Sequence, residues 1–142
     1  MKVIYSSDIK EPILSILKER ISKIEHAFPS WCHELVVKYK DREFEENESD
    51  YHAVIETVYI YRYATLTLYP RFISDVGWYE TLVHELHHSL FSPYTLATKR
   101  IVETFVSDEK VKDYIYAELS GLEEQLVEDS AYCVGRLLEN KA

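Results

Sequence analysis

Between residues 8 and 28 the apolar positions Ile13, Leu14, Ile16, Leu17, Ile21, Ile24 and Phe28 recur at three- and four-residue steps. That spacing predicts an amphipathic helix, with Pro12 in the first turn, where its missing N–H is harmless. After Pro29-Ser30 the segment 34–40 (ELVVKYK) predicts a short strand, and the acidic run 41–50 (DREFEENESD) a solvated loop. From His52 to Phe72 the chain is dense in β-branched and aromatic residues, and Ala64, Leu66 and Leu68 alternate with Thr65, Thr67 and Tyr69. This is sheet, too long for one strand, and it divides near residues 61–63 although no Gly, Pro or Asn-Gly pair marks a turn.

Ser74 or Asp75 can cap a helix running to about Phe91, with Pro93 just beyond as its stop. From Thr95 onward the pattern is helical in two or three pieces, with Ser107 capping one and Ser120-Gly121 interrupting before the last. The elements assemble as an α+β fold in a single domain over residues 1–142: an N-terminal helix on a small, mostly antiparallel sheet, then the 75–91 helix and C-terminal helices.

A formal net charge of −9 disfavours nucleic acid, whose phosphates must be met by clustered Lys and Arg. The two cysteines, Cys32 and Cys133, have no CxxC spacing and are expected as buried thiols in a reducing compartment. No apolar stretch approaches the roughly 20 residues that span a bilayer, and the N-terminus lacks the pattern of a signal peptide. A cytoplasmic protein without membrane contact is expected.

The segment His84-Glu85-Leu86-His87-His88 carries the chemistry. Residues four apart on a helix stand about 40° apart, so His84 and His88 can chelate one ion, while Glu85 lies about 100° from His84 and borders the ion without having to bind it. A carboxylate there suits proton abstraction from metal-bound water. Leu82, Leu86 and Leu90 fall on the opposite side and predict burial; His87 points away from the pair as a surface or packing residue. A lone histidine on a helix is usually a packing residue, but HExxH arises by chance in well under about one chain in a hundred of this length.

A catalytic zinc needs a third protein ligand. The third histidine of the metzincin pattern is absent, since Phe91 and Tyr94 stand where its Gly and His belong. The acidic segment 123–129 is the best source, with Glu123, Glu124 and Glu128 as candidates. Ser120-Gly121-Leu122-Glu123 has capping-box spacing, which would occupy Glu123 locally. Glu124 then leads the stripe Val127, Ala131, Val134 and Leu138, whose packing brings it toward the HExxH helix, with Glu128 one turn on to orient a histidine N–H.

Over residues 52–138, in the segments ATLTLYPRF, TLVHELHHSL and EEQLVEDSAYCVGRLL, the chain resembles the gluzincin metallopeptidases, in which a Glu from a later helix joins HExxH. It looks most like the minimal one-domain members of bacteria and phages. The resemblance implies a zincin-like fold, zinc held by His84, His88 and a glutamate, Glu85 as base, and hydrolysis of a peptide or protein substrate. Larger members place an Asp four residues beyond the ligand Glu, where Glu128 stands here. They also take an oxyanion-stabilising His or Tyr from a C-terminal subdomain, a role for which Tyr94, Tyr114 and Tyr116 are candidates. In such peptidases the substrate adds as a strand to an exposed sheet edge, and a strand within 53–69 would supply it. The alternative is a non-catalytic zinc-binding or protein-interaction module, whose metal would be closed off by four protein ligands.

Overall fold

The computed structural model describes residues 1–41 and 51–139, so nearly all of the acidic run 41–50 lies outside the described residues. In chain order the elements are β1 (Lys2–Tyr5), α1 (Ile13–Ser22), β2 (Glu34–Tyr39), β3 (Ala53–Val58), β4 (Tyr63–Leu68), α2 (Pro70–Ser74), α3 (Trp78–Phe105) and α4 (Glu109–Glu139). The fold is α+β: a four-stranded sheet followed by two long helices.

The sheet order is β1-β2-β4-β3, with β1 parallel to β2, β2 parallel to β4, and only β3 antiparallel to β4. The expected mostly antiparallel sheet is therefore corrected to a mixed, mostly parallel one. The cause is β1, a four-residue strand too short to show a period: α1 becomes the crossover between β1 and β2, and a crossover returns the chain in the same direction. The hairpin division does fall where expected. A tight turn at Tyr59–Tyr61 leads to Arg62, which takes the left-handed conformation (φ 58°, ψ 35°) usually left to Gly. The Arg62 carbonyl accepts the N–H groups of His33 (2.8 Å) and Glu34 (3.3 Å), which offsets that strain and stitches the hairpin to β2.

Alternation in β2 and β4 sends Leu35, Val37, Ala64, Leu66 and Leu68 into one core with Leu17 and Ile21 of α1 and Leu82 of α3. The α-helix is shorter than the 8–28 periodicity predicts. After Ser22 the Lys23 and Ile24 N–H groups bond three residues back, to Arg20 and Ile21, and the chain tightens, yet Ile24 stays buried. Arg20 donates to the Phe72 and Ile73 carbonyls at 2.5 and 3.0 Å and lies 5.0 Å over the Trp78 ring, so one guanidinium fastens α1 to the end of α2 and the start of α3.

Three boundaries differ from expectation. Neither Ser74 nor Asp75 is the cap residue of α3, which Gly77 precedes; Asp75 instead bonds the Gly77 N–H (2.8 Å) and the Thr81 hydroxyl (3.3 Å) beside the helix start. Next, α3 runs straight through Pro93 for 28 residues. A proline has no N–H to give the carbonyl four residues back, Ser89, and the indole N–H of Trp31 takes that place at 3.1 Å. Finally, α4 begins under Asp108, whose Oδ1 accepts the N–H groups of Lys110 (2.9 Å) and Val111 (3.2 Å), not under Ser107, and it continues unbroken through Ser120-Gly121. Helix α4 folds back antiparallel on α3: Lys112 meets Glu103, Thr95 meets Glu123, and Gly135 lies against Val83. No described helix is long and apolar enough to cross a membrane.

Candidate metal centre

Leu82, Val83 and Leu86 bury one face of α3, while His84 and His88 emerge on the face toward α4. The opposite stripe of α4, with Val127 and Ala131 buried, seats against α3 and carries Glu124 to the two histidines, as its spacing predicts. Leu90 departs from the expected stripe, being 36% exposed.

His84 Nε2 and His88 Nε2 are 3.1 Å apart, and the Glu124 carboxylate lies 3.1 Å from the first and 3.3 Å from the second. Ligand atoms about 2.0–2.2 Å from a tetrahedral zinc stand roughly 3.3 Å from one another. The spacing therefore fits one small ion, with two neutral nitrogens and one anionic oxygen as donors, and His84, His88 and Glu124 form a group able to hold a metal. Burial and the neighbouring His88 hold His84 below the usual imidazole value, against the pull of Glu124 and Glu128, which favours the deprotonated form a metal needs.

Glu123 is not in a capping box. Inside the continuous α4 its Oε1 lies 3.5 Å from His88 Nδ1, while its Oε2 accepts the Thr95 hydroxyl at 2.9 Å. The carboxylate behind the outer nitrogen of a histidine is thus Glu123. Glu128, expected in that part, is exposed and lines a cavity of about 400 Å³ beside His84. Thr95 was hidden because a helix ending at 91 excludes it; once α3 continues, Thr95 stands seven residues from His88 on the same face.

Glu85 is the most enclosed acid of the site. Its Oε2 accepts the backbone N–H of Ile55 in β3 at 2.9 Å, and burial pushes its carboxyl up to about 7, with Ile55 opposing and the charge of Glu124 adding to the rise. His87 is a packing residue, buried and bonded through Nδ1 to the Val83 carbonyl at 2.7 Å. Tyr94 and Tyr114 point to solvent and Tyr116 is engaged with Glu103, so none of the three stands at the triad. Cys32 is buried, but Cys133 is exposed, which corrects the expectation of two buried thiols.

A groove of about 640 Å³ runs between β3 and the α3–α4 pair, over His84, Glu85 and His88. Since the Ile55 N–H turns to Glu85 and not to β4, residues 53, 55 and 57 aim their backbone groups into this groove. Ser92, one turn beyond His88, lines it too, and its buried hydroxyl has no partner among the described residues. No family model, curated protein or solved structure matches the chain.

Proposed function

We propose that the protein is a zinc-dependent peptidase of the minimal gluzincin kind. One observation carries this: a half-buried carboxylate, Glu85, adjoins a His84–His88–Glu124 group of zinc-fitting dimensions at the floor of a groove bordered by an open strand edge. Bound zinc would supply Lewis acidity toward the scissile carbonyl and a lowered pKa for water. Glu85, anchored through one oxygen by Ile55, has its other oxygen for the water proton, which it later returns to the leaving amine. Glu123, held by Thr95, stands behind Nδ1 of His88, a contact that would leave Nε2 free to hold the ion.

The peptide would lie along β3 as an added strand, pairing with the backbone of Ala53 and Thr57 on either side of the occupied Ile55 N–H. A non-catalytic zinc module would need a fourth protein ligand. Among the described residues three come together, which leaves a position for water and favours the catalytic reading.

Purified protein loaded with zinc should contain about one ion per chain and cleave a fluorogenic casein. Glu85→Gln should keep zinc and fold while activity falls by about 10²–10⁴-fold, because an amide preserves shape and removes the base. Absence of zinc binding, or undiminished cleavage by Glu85→Gln, would end the proposal.

A further inference from the structure

Past the metal group, α3 and α4 continue together as a helical hairpin that covers very little of itself. Between Ser89 and Val127, Val102 is the only buried residue. Helices in a folded protein draw most of their stability from packing an apolar face, and two helices touching along a single line bury little of one. The apolar side chains are present but face solvent. On α3, Tyr94 is 73% exposed, Ile101 59% and Phe105 80%; on α4, Val111 is 45% exposed, Leu122 61% and Leu126 49%.

These six side chains share one face of the hairpin. Thr95 meets Glu123 across it, Val102 follows Thr95 two turns on, and Lys112 meets Glu103. Tyr94, Ile101, Leu122 and Val111 each precede one of these facing positions by one residue, about 100° back around the helix. Phe105 and Leu126 extend the two stripes by a turn. Because the helices run antiparallel, an equal backward turn on each leads to the same side. Glu85 and Leu96, one residue after His84 and Thr95, line the metal groove on the opposite side. The face is also balanced end to end: with Thr95 opposite Glu123 and Val83 against Gly135, the stretches 94–105 and 111–126 are centred at one level, where 99–100 passes 118–119. Its α3 half, which includes Ala97 and Thr98, carries no charge, and Glu118 interrupts the α4 half.

We propose that this face is a dimer interface, covered by a second copy of the chain about a two-fold axis that crosses the hairpin at its midpoint. The product is a four-helix bundle in which each hairpin tip lies against the base of the other. Six side chains exposed to this degree offer on the order of 700 Å², close to the roughly 800 Å² that each partner of a stable interface buries. A two-fold contact needs a patch that matches itself when reversed end to end, and the shared centre of the two stretches meets that need. Phe105 then falls beside the partner's Tyr94, and Val111 beside the partner's Leu126. Both metal grooves stay open on the outer sides, so the interface stands independently of the peptidase reading.

Sedimentation equilibrium of the full chain at tens of micromolar should give twice the 16.8 kDa of one copy. Ile101→Glu and Leu122→Glu each put a carboxylate into the interface at a position exposed in the single chain. Each should weaken the dimer at least about 100-fold while the circular dichroism of the helices is unchanged. The arrangement is read from a spin label on Cys133, which is exposed while Cys32 is buried. Its two copies lie about 14 residues to either side of the axis, so at about 1.5 Å per residue the labels should be on the order of 40 Å apart. A monomer at that concentration, or a dimer that survives both substitutions, overturns the interface. Labels closer than about 25 Å overturn the end-to-end reversal, because they put both hairpin bases at the same end.

Discussion

Replacing Trp31 by Phe removes one hydrogen bond whose partner has nowhere else to turn. The Ser89 carbonyl lies in the interior of α3, its residue fully buried, and Pro93 cannot supply the N–H that an ordinary helix would. Loss of the indole donor therefore leaves a buried carbonyl unsatisfied, a cost of about 1–3 kcal/mol. Some packing is lost as well, though a Phe ring can keep much of the edge-on contact that Trp31 makes with Tyr59 at 5.4 Å. The Pro93→Ala background separates the two contributions, because alanine at that position restores an N–H for the Ser89 carbonyl. There Trp31→Phe should cost less than about 1 kcal/mol, giving a coupling of about 1–2 kcal/mol between positions 31 and 93. Urea unfolding of the four proteins, followed by far-ultraviolet circular dichroism at constant m-value, measures that coupling. Equal costs of Trp31→Phe in both backgrounds would refute the claim that the indole N–H replaces the missing proline N–H.

At the metal group, Glu124→Ala should abolish tight zinc binding, whereas Glu123→Gln should lower zinc affinity only about 10- to 100-fold, as measured by competition with a chromogenic chelator. The reverse order of effects would identify Glu123 as the ligand. Gly121→Ala should stabilise the protein by about 0.5–1 kcal/mol in thermal unfolding, because α4 is continuous there and an added Cβ meets nothing within 4 Å; destabilisation would mean that the helix breaks at Gly121. The Asp75 carboxyl is held below its ordinary value of 3.8, so its contribution is present above that pH and is lost as the pH falls through and below it. The stability advantage of wild type over Asp75→Asn should shrink across that acid window, and a constant difference would show that the charge of Asp75 plays no part.

Local periodicity was enough to reveal several parts of this molecule. The spacing of His84, Glu85 and His88 places two imidazoles on one helical face with a carboxylate at their flank, because that geometry depends only on the pitch of a helix. The Val127–Ala131 stripe likewise determined which side of α4 would seat, and with it the approach of Glu124, since burial of an apolar face leaves little choice of orientation.

What tertiary structure decided are the cases in which a distant group changes the meaning of a local signal. Pro93 reads as a stop until Trp31, 58 residues before Ser89, takes over the orphaned carbonyl; α3 then reaches Thr95, and Thr95 draws Glu123 to His88. Ser120 and Glu123 read as a cap until packing against α3 carries the helix through them. The strand directions depended on β1, four residues whose partners are 32 positions away and whose own pattern is too short to carry a period. The pairing of His52 with Asp75 likewise joins a strand entrance to a helix entrance, a contact with no expression in either segment alone.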